Sequence, residues 1–152
     1  MLISLLLLCT ALFAQQKGTF TDTRDGKIYK TTKIGEQVWM KDNLNYKTDS
    51  SWCYGNKDFN CDKYGRLYKW DTAREVCPNG WHFYGFSALP GGMRYFHGGT
   101  FRSLGSFGYY WSDHKFNSKL AYFWTMRSGR EEVEDAIDYK TYGLSVRCLQ
   151  DQ

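Results

Sequence analysis

The sequence predicts a small α+β domain built on a twisted antiparallel β-sheet, with one main short helix, long loops and two disulfides. Three observations carry that expectation. Aromatic residues make up 18% of the chain, with Trp 6, Tyr 12 and Phe 10, beside two prolines and fifteen glycines, a composition rich in strand and turn formers. A helical start and stop pattern stands out once, between Asp71 and Pro78. Four cysteines, Cys53, Cys61, Cys77 and Cys148, follow an apolar N-terminal run, which is how small exported domains are stapled. Residues 15–152 leave room for one compact domain with a single core.

Residues 2–13 form an unbroken run of apolar and small side chains, too short for an ordinary bilayer span and placed where a secretory h-region belongs. Residues 1–14 are therefore read as a signal peptide, and the protein as secreted or held at the cell surface. The residue three before that cut is Leu12, and a basic n-region is missing. A membrane connection would come only through an uncleaved leader or a lipid anchor at Cys9, which follows Leu8 where a lipobox places a small residue.

The domain begins with a predicted hairpin over residues 26–40. Ile28, Thr32 and Ile34 share one face of its first strand, Gly35-Glu36 supplies a two-residue turn with glycine where a type II′ turn needs positive φ, and Gln37-Val38-Trp39-Met40 returns. The polar stretch 41–60 reads as loop. Residues 64–70 have strand character, and Asp71 or Thr72 can cap a helix over about 71–77 that Pro78 helps to end. The second half is β-rich. Tyr109-Tyr110-Trp111-Ser112, the run 120–126, a turn at Ser128-Gly129, a charged strand over 131–139 and a last strand over 143–149 make a meander. In that last strand Leu144, Val146 and Cys148 are expected to face the core, with Ser145 and Arg147 on the other side.

The four cysteines allow three connectivities. Local spacing favours Cys53 with Cys61, which leaves Cys77 with Cys148. In the chain-entropy model the long bridge contributes about 4 kcal/mol and the short one about 2 to 3 kcal/mol. A zinc site would need CxxC-type spacing or well-placed histidines, and the sequence has neither.

Net charge is +4 with the two signs mixed along the chain, so no basic tract points to nucleic acid or to a polybasic membrane contact. His82, His97 and His114 have no serine or cysteine nucleophile in a recognisable local motif. Glu131, Glu132, Glu134 and Asp135 contain the carboxylate pairs that glycoside hydrolysis requires, but a charge run of this kind is read as a solvated strand or turn. The protein is expected not to be an enzyme and to need no cofactor or metal.

Asp22-Thr23-Arg24-Asp25-Gly26, Ile34-Gly35-Glu36-Gln37-Val38-Trp39-Met40, Asn43-Leu44-Asn45-Tyr46, Trp52-Cys53-Tyr54, Tyr64-Gly65-Arg66-Leu67-Tyr68, Cys77-Pro78-Asn79-Gly80-Trp81-His82, Gly85-Phe86-Ser87-Ala88-Leu89-Pro90-Gly91-Gly92 and Tyr142-Gly143-Leu144-Ser145-Val146-Arg147-Cys148 follow one another in this order. Together they resemble the Fibrobacter succinogenes major paralogous domain, a family of bacterial secreted or surface-attached proteins without a settled activity. The spacing of Trp70, Ala73, Cys77 and Gly80 is similar to the first helix of C-type lectin-like domains, in which the helix-end cysteine pairs with one in the final strand, here Cys148. That resemblance implies a C-type lectin-like fold, related in plan to formylglycine-generating-enzyme-like domains. The family usually follows Gly-Trp-His with a second helix and a long polar loop, whereas His82 is followed by Phe83-Tyr84-Gly85. A loop region that carries ligands in lectin-like domains is thus missing, which implies a minimal or degenerate paralogue. Trp111-Ser112-Asp113 resembles the Trp-Asn-Asp calcium motif of lectins, with Ser in place of one ligand.

Aromatic side chains are the remaining functional signal, because a flat apolar face with a polar edge stacks on sugar rings and anchors interfaces. Trp52, Trp81, Tyr109 and Trp111 lie near expected turns and are the candidate ligand-binding residues. Trp39, Trp70 and Trp124 fall in strand or helix patterns and are expected in the core. The expected function is a noncatalytic surface module that binds carbohydrate or another surface polymer, its partner being a polysaccharide or a cell-surface protein. The alternative is a structural or protein-interaction domain of the envelope.

Overall fold

The computed structural model describes residues 16–83 and 89–152. The leader assigned to residues 1–14, and residues 85–88 of the glycine-containing block, lie outside the described residues. In chain order the strands are β1 (Lys17–Thr21), β2 (Ile28–Ile34), β3 (Gln37–Met40), β4 (Ser51–Trp52), β5 (Leu67–Tyr68), β6 (Trp81–Phe83), β7 (Met93–Arg94), β8 (Phe101–Arg102), β9 (Phe107–Lys115), β10 (Leu120–Arg127), β11 (Val133–Tyr139), β12 (Leu144–Ser145) and β13 (Cys148–Gln150). Helix α1 (Asp58–Tyr64) follows β4, and α2 (Trp70–Ala73) follows β5.

The fold is mostly β-sheet with short helices and two disulfides. Where the sequence suggests one sheet, the described residues form two larger ones and a ribbon. One sheet has the order β1-β2-β3-β13-β6, the other β11-β10-β9-β12-β5-β4, and β7 pairs with β8. The C-terminal chain serves both sheets. Leu144 and Ser145 pair with Tyr68 and Leu67, then Val146 and Arg147 carry the chain across, and Leu149 pairs with Trp39 and His82. The core lies between the sheets, drawing Tyr29, Met40, Trp81 and Phe83 from one and Tyr68, Trp111, Phe123 and Leu144 from the other.

The β2–β3 hairpin forms as its turn chemistry predicts. Gly35 has φ of 61°, and Ile34 pairs with Gln37 across the two-residue loop. The predicted alternation is also present, but the buried face is the opposite one. Tyr29 and Thr31 point inward, whereas Ile28 and Ile34 are exposed, because Tyr29 is register-paired with Phe20 and Thr31 with the fully buried Met40.

The helices depart from expectation in two ways. Helix α1 lies partly in the stretch read as loop; among its residues only Asn60 and Cys61 are buried, so it has no apolar stripe for periodicity to detect. What holds it is covalent, the Cys53–Cys61 disulfide, and it stops at Gly65. That residue has φ of 74°, and a Cβ there would lie 2.5 Å from Asn43 Cβ. Helix α2 starts at Trp70 rather than at Asp71 or Thr72, has no side-chain cap, and ends at Ala73, four residues before Cys77. Beyond the helix end, Val76 O accepts from the Arg24 guanidinium at 2.9 Å, as a carbonyl without an intrahelical partner requires.

Both disulfides pair as local spacing favours, Cys53 with Cys61 and Cys77 with Cys148. The last strand departs from its expected alternation, since Ser145 and Arg147 are buried along with Leu144, Val146 and Cys148. A strand packed between two sheets has no solvent face. Trp124, expected in the core, is 37% exposed, because β10 turns Ala121 and Phe123 inward instead.

Two stability predictions follow from this packing. Replacing Cys77 and Cys148 by Ser should lower the unfolding free energy by about 4 kcal/mol, against about 2.5 kcal/mol for the Cys53 and Cys61 pair, since the cost grows with the loop closed; urea titration of both double variants would reverse this ranking if the bridge lengths were not the controlling factor. Tyr29 is pushed up to about 12 by burial, the Asn45 N–H donated to its hydroxyl acting in the other direction. The folded state therefore favours the protonated phenol, and that contribution is complete below the ordinary tyrosine range near 10 and lost as pH rises through about 12. Tyr29→Phe should accordingly flatten the fall of melting temperature across this alkaline window, to which the buried Tyr68 contributes in the same direction.

Candidate functional site

The four aromatic residues singled out in the sequence are not brought together. Trp111 is fully buried, its indole N–H donating to Tyr68 O at 2.8 Å and its ring edge-on to Phe123. Trp81 is 8% exposed and packs on Phe20 at 4.8 Å. Neither ring offers a free face. Tyr109 is half-buried, donates to Ser103 Oγ at 3.3 Å and stacks with Phe107. Trp52 is half-buried with the Arg94 guanidinium 4.1 Å from its ring centre. Proximity to a turn misleads for Trp111 because β9 runs on to Lys115, which leaves that residue in mid-strand.

Other titratable candidates are dispersed. His82 Nδ1 lies 2.6 Å from Asp151 Oδ1, and His114 Nδ1 lies 2.6 Å from Asp113 Oδ1, all four side chains being open to solvent. Among the described residues no group of three His, Cys, Asp or Glu side chains is arranged to hold a metal ion. A polar cleft of about 460 Å³ is lined by Arg24, Tyr46, Asp49, Asp71 and Glu75 among others, and Arg24 is already committed there. It forms a bidentate pair with the buried Asp22, through Nε to Oδ1 and Nη2 to Oδ2, and its guanidinium covers the Tyr46 ring at 3.9 Å.

The feature that stands apart is the outward face of β10 and β11. Strand β10 is apolar on both faces, with Ala121 and Phe123 on one and Leu120, Tyr122, Trp124 and Met126 on the other. The core takes the first set. Cross-strand register then places Leu120 opposite Tyr139, Tyr122 opposite Ile137, Trp124 opposite Asp135 and Met126 opposite Val133, and residues opposed in this way share a face. Trp124, Val133, Ile137 and Tyr139 are exposed by 37 to 52%. Phe116, beyond the end of β9, extends the row by standing edge-on to Tyr122 at 5.8 Å. The signal for this face was in the sequence, in the alternation Tyr122, Trp124 against Val133, Ile137, Tyr139. Which side of β10 the core would choose was not.

The family model described as Fibrobacter succinogenes major domain matches residues 32–83, the family that the sequence resembles. The matched stretch runs from within β2 to the end of β6 and includes both helices, Cys53, Cys61 and Cys77. The open face lies outside it. No curated protein and no solved structure matches the chain.

Burial separates structural from available aromatics by experiment. Trp111→Ala should cost about 3 to 5 kcal/mol, as large truncations in a packed core do, while Trp124→Ala should cost about 1 kcal/mol or less. Chemical denaturation of the two variants side by side checks the assignment; equal losses would place Trp124 in the core.

Proposed function

We propose that the protein is a noncatalytic binding module of the bacterial exterior, taking a polysaccharide on the open face of β10 and β11. The observation that carries this reading is the row of exposed Trp124, Tyr139 and Phe116 with the half-buried Tyr122 among them on the same face. Pyranose rings have flat faces of C–H groups, which lose little water when laid on an aromatic plate, and the polar edges of Trp and Tyr remain free for hydroxyls. Residues two apart on a strand are separated by about 7 Å, so Tyr122 and Trp124 form a platform for an extended chain rather than a pocket for a single sugar. The strands beneath are locked to the core by Ala121, Phe123 and Trp111, which keeps the platform preorganised.

An exported location is part of the proposal and is supported by the two disulfides, which persist in oxidising compartments. The lectin-like reading of the fold is likewise a proposal, supported by the bridge from Cys77, just beyond α2, to Cys148 in β13. A second reading, a protein-interaction domain of the envelope, is favoured by Val133 and Ile137, whose aliphatic side chains on the same face suit a protein surface better than a sugar.

Retention of the oxidised protein on a panel of insoluble polysaccharides tests the first reading. Saturable retention that Trp124→Ala weakens about tenfold, equivalent to about 1.4 kcal/mol, is the expected result. A folded, monodisperse protein retained by none of them would transfer the assignment to the protein-interaction reading.

A further inference from the structure

Within the open face one side chain is chemically out of place. Asp135 stands opposite Trp124 in the register and between Val133 and Ile137 along its own strand. It is exposed, and no lysine, arginine or histidine lies within ion-pair distance of it among the described residues. The residues outside that range, 1–15 and 84–88, contain no basic side chain. The basic residues at the ends of these strands lie against other rings: Lys140, just after β11, has Nζ 4.2 Å from the Trp70 ring, and Arg127, ending β10, has its guanidinium 6.0 Å from the Phe107 ring. Strand β11 itself carries Glu134, Asp135 and Asp138 and no base.

We infer that this face selects polymers bearing free amino groups, an amino-sugar polymer rather than a neutral or acidic one; the inference rests on the polysaccharide reading above. A carboxylate beside an exposed indole attracts a cation twice, through its own charge and through the negative face of the ring. A neutral chain laid over Trp124 would strip water from Asp135 without supplying a charged partner, which costs free energy. A uronic-acid or sulfated chain would meet like charge. The net charge of the protein, +4, opposes a polycation, so a preference for one would have to come from a local site.

The test compares retention of the full chain on N-acetylglucosamine polymer covalently fixed to beads with retention on the same beads after deacetylation. It is run where the amines are protonated and at physiological ionic strength, so that distant charges are screened. Preference for the deacetylated form by about tenfold is expected, falling to within about threefold in Asp135→Asn and unchanged in Glu134→Gln, whose side chain leaves the same strand on the other face. Equal retention on both forms, or an undiminished preference in a folded Asp135→Asn, overturns the inference and leaves the polysaccharide reading in place. Retention only on some other polysaccharide overturns the inference alone, and retention on no polysaccharide overturns both.

Discussion

Both sheets depend on the burial of residues 144–149, a segment that pairs first in one sheet and then in the other. Because it is covered on both sides, its polar side chains have to be satisfied internally, and Asn43 does this. Its amide donates to Tyr64 O at 2.8 Å and to Ser145 Oγ at 3.4 Å, and its carbonyl oxygen accepts from Arg147 Nε at 3.4 Å. The Leu44 N–H next to it bonds Val146 O. Burial pushes the Arg147 guanidinium down to about 10, still leaving it charged at neutral pH. Gly65 is required where it is for the same reason, since any side chain there would collide with Asn43. The Asn43-Leu44 and Tyr64-Gly65 pieces are thus the seat into which the crossing segment fits.

What could be read from the sequence was what local chemistry decides. Gly35-Glu36 specifies a hairpin turn whatever surrounds it, and the cysteine spacing favours a short bridge before any fold is considered. Helix α1 was not legible because a disulfide, rather than an amphipathic face, holds it. Nothing local in the sequence stops α2 at Ala73; the chain beyond it is tied to partners distant in sequence, Val76 O to Arg24 and Cys77 to Cys148. The choice of face on β2 and on β10 was hidden for a common reason. Each strand has side chains capable of burial on both sides, and only the opposing sheet selects between them. Candidate ligand residues chosen by closeness to turns therefore included two core tryptophans and omitted Trp124, whose apolar neighbours made it look internal.

The domain divides its labour along the chain. Residues 32–83, which match the family, contain the β2–β3 turn, both helices and three of the four bridged cysteines. The meander after them projects its outer strands away from that framework. A face on regular strands is held more rigidly than one on loops.

The position of the crossing segment near the end of the chain imposes an order on assembly. During synthesis Cys53, Cys61 and Cys77 are made before Cys148. Closure of a loop between residues eight apart is fast and entropically undemanding compared with one spanning 71. Helix α1 brings Cys61 back to Cys53, so early closure of that bridge would keep both from competing with Cys148 for Cys77. The short bridge, though it contributes less to the stability of the finished domain, would thereby favour correct pairing of the long one.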